Sequence, residues 1–248
     1  MSNAQPPDAG RSPEPAGGQP PSRAGAGKLD GGAARSLAER LERLYTGIIF
    51  DVMRALGLEA GVLPPQIVAL DPGLRLAGPV WTVHGKLVEG ADPHATLLDW
   101  TRMLSRAPAG CVVVCQPENQ EIALMGELSS EALKSRGVRG YVVDGGCRDT
   151  AFIRRLGFPV YCRFTTPRDI VGRWLTDQLG GSVSIGTVAV STGDFLLADQ
   201  DGVVVVPGSR AAEVVEAAEY AAGVENKVRT AVLDGVDPEQ AYLRYGKF

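Results

Sequence analysis

Two neighbouring charges, Arg148 and Asp149, follow the run Tyr141-Val-Val-Asp-Gly-Gly-Cys147. The β-branched part of that run reads as a buried strand, and it stops at Asp144-Gly145-Gly146. Glycine at a strand end lets backbone come close to a ligand, because no Cβ fills the space. Beyond it, an arginine can fork onto a substrate carboxylate, and an adjacent aspartate can help to hold a hard divalent cation. Upstream stands Gly126-Glu127-Leu128-Ser129. Glu127 is a first-turn acid of the kind a helix dipole favours, and the amides of Leu128 and Ser129 at the same helix start suit an anion. With Asp144 adding acid where these loops converge, this is equipment for chemistry on a small oxo acid.

Each group also has a plain structural reading. Arg148 and Asp149 can be a solvated pair with Asp149 capping the next helix, and Asp144 a turn-former. Their place at the carboxyl end of a buried strand favours a site, since ligands of open α/β sheets bind there. His84 and His94 receive no role, a lone strand histidine being most often the partner of a backbone group. Asp199 and Asp201 read as turn residues. Arg163, Arg168 and Arg173 are within reach of a polyanionic substrate but fit a solvated loop better. Asp51 sits in an otherwise apolar helix with Ile48, Ile49, Val52 and Met53, where an acid needs a partner or a site. The chain has no Gly-x-x-x-x-Gly-Lys-Ser/Thr loop, no Gly-x-Gly-x-x-Gly after a strand and no Gly-x-Ser-x-Gly elbow. Nucleotide and serine-hydrolase chemistry therefore lose support.

The elements that must position these residues follow from periodicity. Leu37, Leu41 and Leu44 recur at helical spacing, and Thr46 is placed to cap a second helix ending near Gly57. A strand is expected from Leu76 to Val88. Asp92-Pro93 reads as N-cap and first position of a helix through Met103. Cys111 to Cys115 forms a short buried strand, Leu124 to Lys134 a helix, Tyr141 to Val143 a strand, Thr150 to Leu156 a helix, and Phe158 to Tyr161 a strand. That alternation predicts an α/β fold with a parallel or mixed sheet and flanking helices. Asp199-Gln-Asp-Gly202 between apolar runs predicts a hairpin, followed by a long helix from Ser209 to Leu233 and a shorter one from Pro238.

Composition bounds the function classes. In residues 1–32, thirteen are Gly or Pro and none is aromatic, so this segment is expected to be a disordered tail, leaving 33–248 as one domain. It resembles neither a transit nor a signal peptide. Net charge is −4 with both signs interspersed, which argues against extended nucleic-acid contact. No apolar run approaches the ~20 residues of a membrane span. The four cysteines, at 111, 115, 147 and 162, lack zinc spacing and read as buried free thiols in a reducing cytoplasm. Cys111 and Cys115 should point to one face of their strand.

Gly126-Glu-Leu, Val142-Val-Asp-Gly-Gly-Cys-Arg-Asp149, Gly157-Phe-Pro-Val160 and Gly193-Asp-x4-Ala-Asp-Gln-Asp-Gly-Val-Val-Val-Val-Pro207 form an ordered series. It resembles the RraA-like family, which holds 4-hydroxy-4-methyl-2-oxoglutarate aldolases and regulators of ribonuclease activity. The resemblance covers roughly Ala33 to Leu233. It implies an α/β domain of the swivelling β/β/α type, assembled as a homotrimer or a hexamer with sites between subunits. It further implies that Arg148 binds the carboxylate of a pyruvoyl group and that Asp149 holds Mg²⁺ or Mn²⁺, largely through waters. Glu127 would order metal-bound water and support proton transfer, while backbone amides of the Gly126, Leu128 and Ser129 loop help to bind substrate. By position, Asp51 and Glu225 resemble acids that reach in from a neighbouring subunit.

Two departures stand out: Thr150-Ala151-Phe152 supplies none of the acid that often follows Arg-Asp, and Pro167-Arg-Asp-Ile-Val-Gly-Arg-Trp174 suggests a different substrate pocket. The resulting expectation is a divalent-metal-dependent lyase that cleaves a 4-hydroxy-2-oxo acid to pyruvate, with oxaloacetate decarboxylation as a second activity. The alternative is a non-catalytic regulator that binds a ribonuclease. A sugar-acid or other small-molecule reaction at the same site is a third reading.

Overall fold

The computed structural model describes residues 31–59 and 61–248. The expected tail falls outside the described residues, except that Gly31 and Gly32 already belong to the first turn of α1 (Gly31–Glu42). Helices α1 and α2 (Thr46–Ala55) bury Leu37, Leu41, Ile48, Ile49 and Met53, the apolar positions that their spacing marked out. Thr46 does not cap α2 as expected; Tyr45 takes that position without a side-chain bond. Instead the Thr46 amide and hydroxyl both donate to Asp199, at 2.8 and 2.7 Å.

After β1 (Gly61–Val62) and β2 (Val68–Ala69) comes the long strand β3 (Leu76–Leu87). Helix α3 (Pro93–Arg106) opens on its predicted cap, Asp92, which accepts from the Ala95 amide at 2.8 Å. The alternation then runs β4 (Val112–Gln116), α4 (Glu127–Ser135), β5 (Gly140–Val143), β6 (Gly146–Cys147), α5 (Thr150–Leu156), β7 (Val160–Cys162) and β8 (Phe164–Thr165). Helix α4 starts three residues later than the periodicity suggests. Leu124 and Met125 are buried in extended chain that pairs with residues 146 and 148, and Gly126 is extended at φ −151°. The chain closes with β9 (Trp174–Leu179), β10 (Ser182–Ile185), β11 (Val188–Ser191), β12 (Phe195–Asp199), β13 (Gly202–Val206), α6 (Ala211–Leu233) and α7 (Pro238–Tyr245).

The main sheet has the order β1-β13-β12-β3-β4-β5-β7-β2, parallel across β3, β4, β5 and β7 and antiparallel elsewhere. Strand β3 is long enough to take β12 on its first residues, β4 along its middle and β9 at its end. The pairing with β9 shifts register between His84 and Gly85, where the Trp174 ring fills the space a Cβ would need. Strand β4 is apolar from Val112 to Cys115 because both of its faces are covered. Cys111, Val113 and Cys115 join the core under α3, α4 and α5, confirming that the two thiols share a face. Val112 and Val114 point the other way, into a core closed by the β10–β11 hairpin. Helices α1, α2 and α6 cover a third apolar cluster on β12 and β13. The result is the expected mixed α/β architecture, and all the parallel strands release their loops on one side.

Candidate active site

Backbone pairing brings the two sequence segments together. Leu124 N donates to Gly146 O at 2.9 Å, and Arg148 N donates to Met125 O at 2.8 Å. That register sets Gly126 and Glu127 beside Arg148 and Asp149. The glycines of the turn do something other than admit a ligand. A Cβ on Gly145 would lie 2.9 Å from the Pro117 ring, and one on Gly146 would lie 2.7 Å from both Ile122 O and the Phe164 ring. Their missing side chains serve the chain's own packing. The glycine that clears the charged groups is Gly126, whose Cβ would stand 2.7 Å from Asp149 Oδ2 and 3.2 Å from Arg148 Cγ.

Asp149 has φ 55° and ψ 34°, the left-handed region that costs an ordinary L-residue roughly 1–2 kcal/mol and that Asp and Asn tolerate best. It occupies the N-cap position of α5 but makes no capping bond. Its Oδ2 instead accepts from the Glu127 amide at 3.2 Å and lies 3.4 Å from Arg148 Nε. Arg148 extends Nη1 to Asp169 Oδ2 at 3.3 Å. The side chains of Arg148 and Asp149 are 39% and 37% exposed, so the pair is open to solvent. The Glu127 carboxylate has no hydrogen-bonding or ionic partner among the described residues. The Leu128 side chain points outward, 78% exposed, leaving its amide at the helix start. Ser129 Oγ is held by the Trp100 indole N–H, which donates to it at 2.9 Å.

Hard oxygen donors are what Mg²⁺ or Mn²⁺ prefers, and Mg²⁺ commonly keeps several waters while taking one or two carboxylates. Asp149 suits that role because its Oδ1 accepts no hydrogen bond among the described residues. Among the described residues, no three His, Cys, Asp or Glu side chains gather around one point. One carboxylate plus waters is therefore the arrangement that this donor set fits.

Other candidates lie elsewhere or do other work. Asp51 pairs with Arg54 at 2.8 Å on the outer side of α2. Glu225 accepts from the Tyr45 hydroxyl and lies 4.0 Å from Arg229. Burial, then the Glu225 bond, pushes the Tyr45 hydroxyl well above its ordinary range, with Asp51 contributing. Glu225 is thus held by Tyr45 and Asp51 by its own helix neighbour, and among the described residues neither contacts Arg148, Asp149 or Glu127. Asp144 is more than a turn-former. It is nearly buried and makes a short ion pair with Arg163, which corrects the reading of Arg163 as a solvated loop residue. Arg168 does remain solvated, 3.9 Å from Glu121.

His84 has carboxylate partners rather than a backbone one. Its Nδ1 meets Asp177 at 2.5 Å and its Nε2 meets Glu118 at 3.0 Å. Burial pulls its pKa down, but the two hydrogen-bonded acids outweigh it, so the net shift is upward from the ordinary value. Asp169 and Trp100 are site residues that the sequence reading missed. The signal for the first was present in the Pro167–Trp174 segment, where Asp169 Oδ1 accepts from Val171 N at 3.2 Å as an Asx turn does.

The chain matches the RraA-like (Aldolase/RraA) family over residues 46–205, more than half its length. It belongs to the RraA-like family. Its fold is similar to that of an uncharacterized protein from Pseudomonas syringae pv. tomato, with a TM-score of 0.77, 26% identity and coverage of 86% of this chain and 95% of the other. It is also similar to Streptomyces coelicolor RraAS2, an unusual member of the RNase ES inhibitor RraA family, with a TM-score of 0.70, 29% identity and coverage of 79% and 97%. A provisionally named 4-hydroxy-4-methyl-2-oxoglutarate aldolase of Halalkalibacterium halodurans is 29% identical over 73% of this chain and 83% of its own length. Protein DlpA of Legionella pneumophila is 27% identical over 85% of this chain, but that stretch is only 34% of DlpA. The RraA-like family thus includes both provisional aldolases and ribonuclease inhibitors. No helix among the described residues is long and apolar enough to cross a membrane.

Proposed function

We propose that this protein is a divalent-metal-dependent lyase that cleaves a 4-hydroxy-2-oxo acid to pyruvate and an aldehyde or ketone, and that decarboxylates oxaloacetate as a second activity. The observation that carries this reading is the placement of Arg148 and Asp149 against the cleared face of Gly126, with the Glu127 amide on Asp149. Arg148 binds the C1 carboxylate of the substrate through its planar fork. Asp149 would hold the cation, which when bound would supply Lewis-acid chemistry to the site. The Leu128 and Ser129 amides at the start of α4 add partial positive charge where anionic oxygen gathers. Glu127, free of internal partners, takes the proton from the 4-hydroxyl directly or through water. The C3–C4 bond then breaks, its electron pair stays on C3, and the 4-carbon leaves as a carbonyl. Protonation of C3 yields pyruvate. Loss of CO₂ from oxaloacetate leaves the same electron pair on C3, which is why the second activity is expected.

Within one chain the Arg148–Asp149 pair is open to solvent, and Asp51 and Glu225 lie elsewhere. In a homotrimer or hexamer with shared sites, those two acids would complete a neighbour's site. The likeness to an RNase ES inhibitor family member favours a second reading, a non-catalytic ribonuclease-binding regulator.

Mg²⁺-dependent pyruvate release from oxaloacetate and from 4-hydroxy-2-oxo acids tests the first reading. Activity above that of Arg148→Ala supports it. Activity equal to that variant on every substrate, with a stable ribonuclease complex in pull-down, replaces it with the second. Light scattering should give a mass that is a multiple of three chains, and a monomer at micromolar concentration would refute the shared site.

A further inference from the structure

Asp169 is delivered to Arg148 with little freedom. The Ile170 side chain is buried beside it, and Trp174 is fully buried with its indole N–H on Pro117 O at 3.0 Å. Gly172 N donates to Thr96 Oγ1 at 3.0 Å, and Arg168 O accepts from Ala123 N at 2.9 Å. The segment is thereby tied to α3, to the end of β4 and to the chain leading into α4. Asp169 spends Oδ1 on the Val171 amide and turns Oδ2 to Arg148 Nη1. Asp149 stands at Arg148 Nε. One guanidinium therefore faces two carboxylates, one negative charge more than it balances, and among the described residues Nη2 donates no hydrogen bond to an acid.

An incoming carboxylate meets that excess charge and one nitrogen already taken. We infer that Asp169 is an internal competitor for Arg148, a positioning residue that makes capture of a substrate carboxylate depend on a bound divalent cation. Two positive charges at Asp149 reverse the local excess, so that carboxylate and cation bind cooperatively, and in metal-free protein the acid is turned away. The consequence is selectivity: a carboxylic acid unable to share the cation finds Arg148 occupied. This inference rests on the proposed function for the identity of the guest.

The test is a calorimetric titration of full-length protein with oxalate, a small dicarboxylate, at low ionic strength, after chelation and again with Mg²⁺. The wild type should bind oxalate in Mg²⁺ and at least tenfold more weakly without it. Asp169→Asn keeps the size of the side chain and an oxygen for Val171 N, and should bind metal-free oxalate roughly fivefold more tightly than wild type. That gain should shrink in high salt, as an exposed charge effect does. A purely structural role for Asp169 predicts weaker binding, so a gain separates the two. Asp169→Ser, whose hydroxyl also accepts from an amide, should repeat the gain if the Asn variant folds poorly. Metal-free affinity unchanged or reduced in both variants, with Mg²⁺-dependent binding intact in wild type, overturns the inference and leaves the proposed function standing. Absence of oxalate binding to wild type even in Mg²⁺ overturns both.

Discussion

Two arginine–aspartate pairs flank the same Gly145-Gly146 turn, and they do opposite work. On one side Asp144 and Arg163 have side chains 11% and 20% exposed, joined by a short ion pair. Gln120 Nε2 also donates to Asp144 O at 2.9 Å. This pair ties β5 to the chain after β7, and among the described residues its charges are each other's only ionic partners. On the other side Arg148 and Asp149 are more than a third exposed and only loosely joined at 3.4 Å. Their remaining hydrogen-bonding capacity points outward. The difference teaches that residue type and motif adjacency do not distinguish a structural ion pair from the one proposed here to bind a ligand. Solvent access and unspent donors do.

Substitutions can break that contrast. The largest effect is expected at Asp149→Asn. It retains the left-handed backbone and the acceptor for Glu127 N, so thermal melting should move little, while Mg²⁺-dependent pyruvate release should fall roughly a thousandfold, the scale of a lost metal-centred electrostatic contribution. Comparable activity in the variant would remove Asp149 from the chemistry. Next comes Asp144→Ala, which strands the Arg163 guanidinium in a nearly buried site. Urea unfolding should show a loss of about 3 kcal/mol, since removing one partner of a buried pair is far costlier than losing an exposed one. Arg148→Ala should change stability by less than about 1 kcal/mol in the same assay. Equal losses at both sites would erase the distinction between the pairs.

Gly126→Ala sharpens the geometry. The backbone at φ −151° accepts alanine, but the methyl group would meet Asp149 Oδ2 at 2.7 Å and must displace it. Activity should drop at least roughly tenfold, as small misplacements of reacting groups do, while the protein still folds. The smallest effect concerns His84, a charged cluster with no part in the proposed chemistry. Its folded pKa lies above the ordinary value near 6.5, because two hydrogen-bonded carboxylates outweigh its burial. Its contribution to stability is therefore fully present below that ordinary value and is lost as pH rises through the folded one. Melting temperatures measured between pH 5.5 and 8.5 should fall with rising pH by a margin that His84→Gln removes. An identical slope in the variant would show that the cluster contributes nothing.

Much of this architecture was legible because periodicity and capping are local. The strand Cys111 to Cys115, the Asp92 cap and the hairpin around Asp199 to Gly202 follow from neighbours within a few residues. Arg148, Asp149, Gly126 and Glu127 were legible as one unit because two short motifs carry them. What escaped was tertiary. Asp199 bonds Thr46 across 153 positions, Arg163 just after β7 finds Asp144 just after β5, and Asp169 reaches Arg148 from a segment whose purpose only packing reveals. The start of α4 was misplaced because Leu124 and Met125 satisfy a helical pattern while strand-like pairing claims their backbone. Asp149 looked like a cap because of its position, yet its left-handed backbone turns the carboxylate away from α5.

That left-handed backbone has a consequence for how such proteins diverge. Only glycine, asparagine and aspartate sit comfortably at such a position, and each of the first two is a single-nucleotide step from aspartate. On the proposed reading of Asp149 as cation holder, a lineage could lose that ligand in one mutation without disturbing the fold and keep the scaffold for binding other macromolecules. Passage from the proposed catalyst to an adaptor would then be open at this residue, and the return journey equally short.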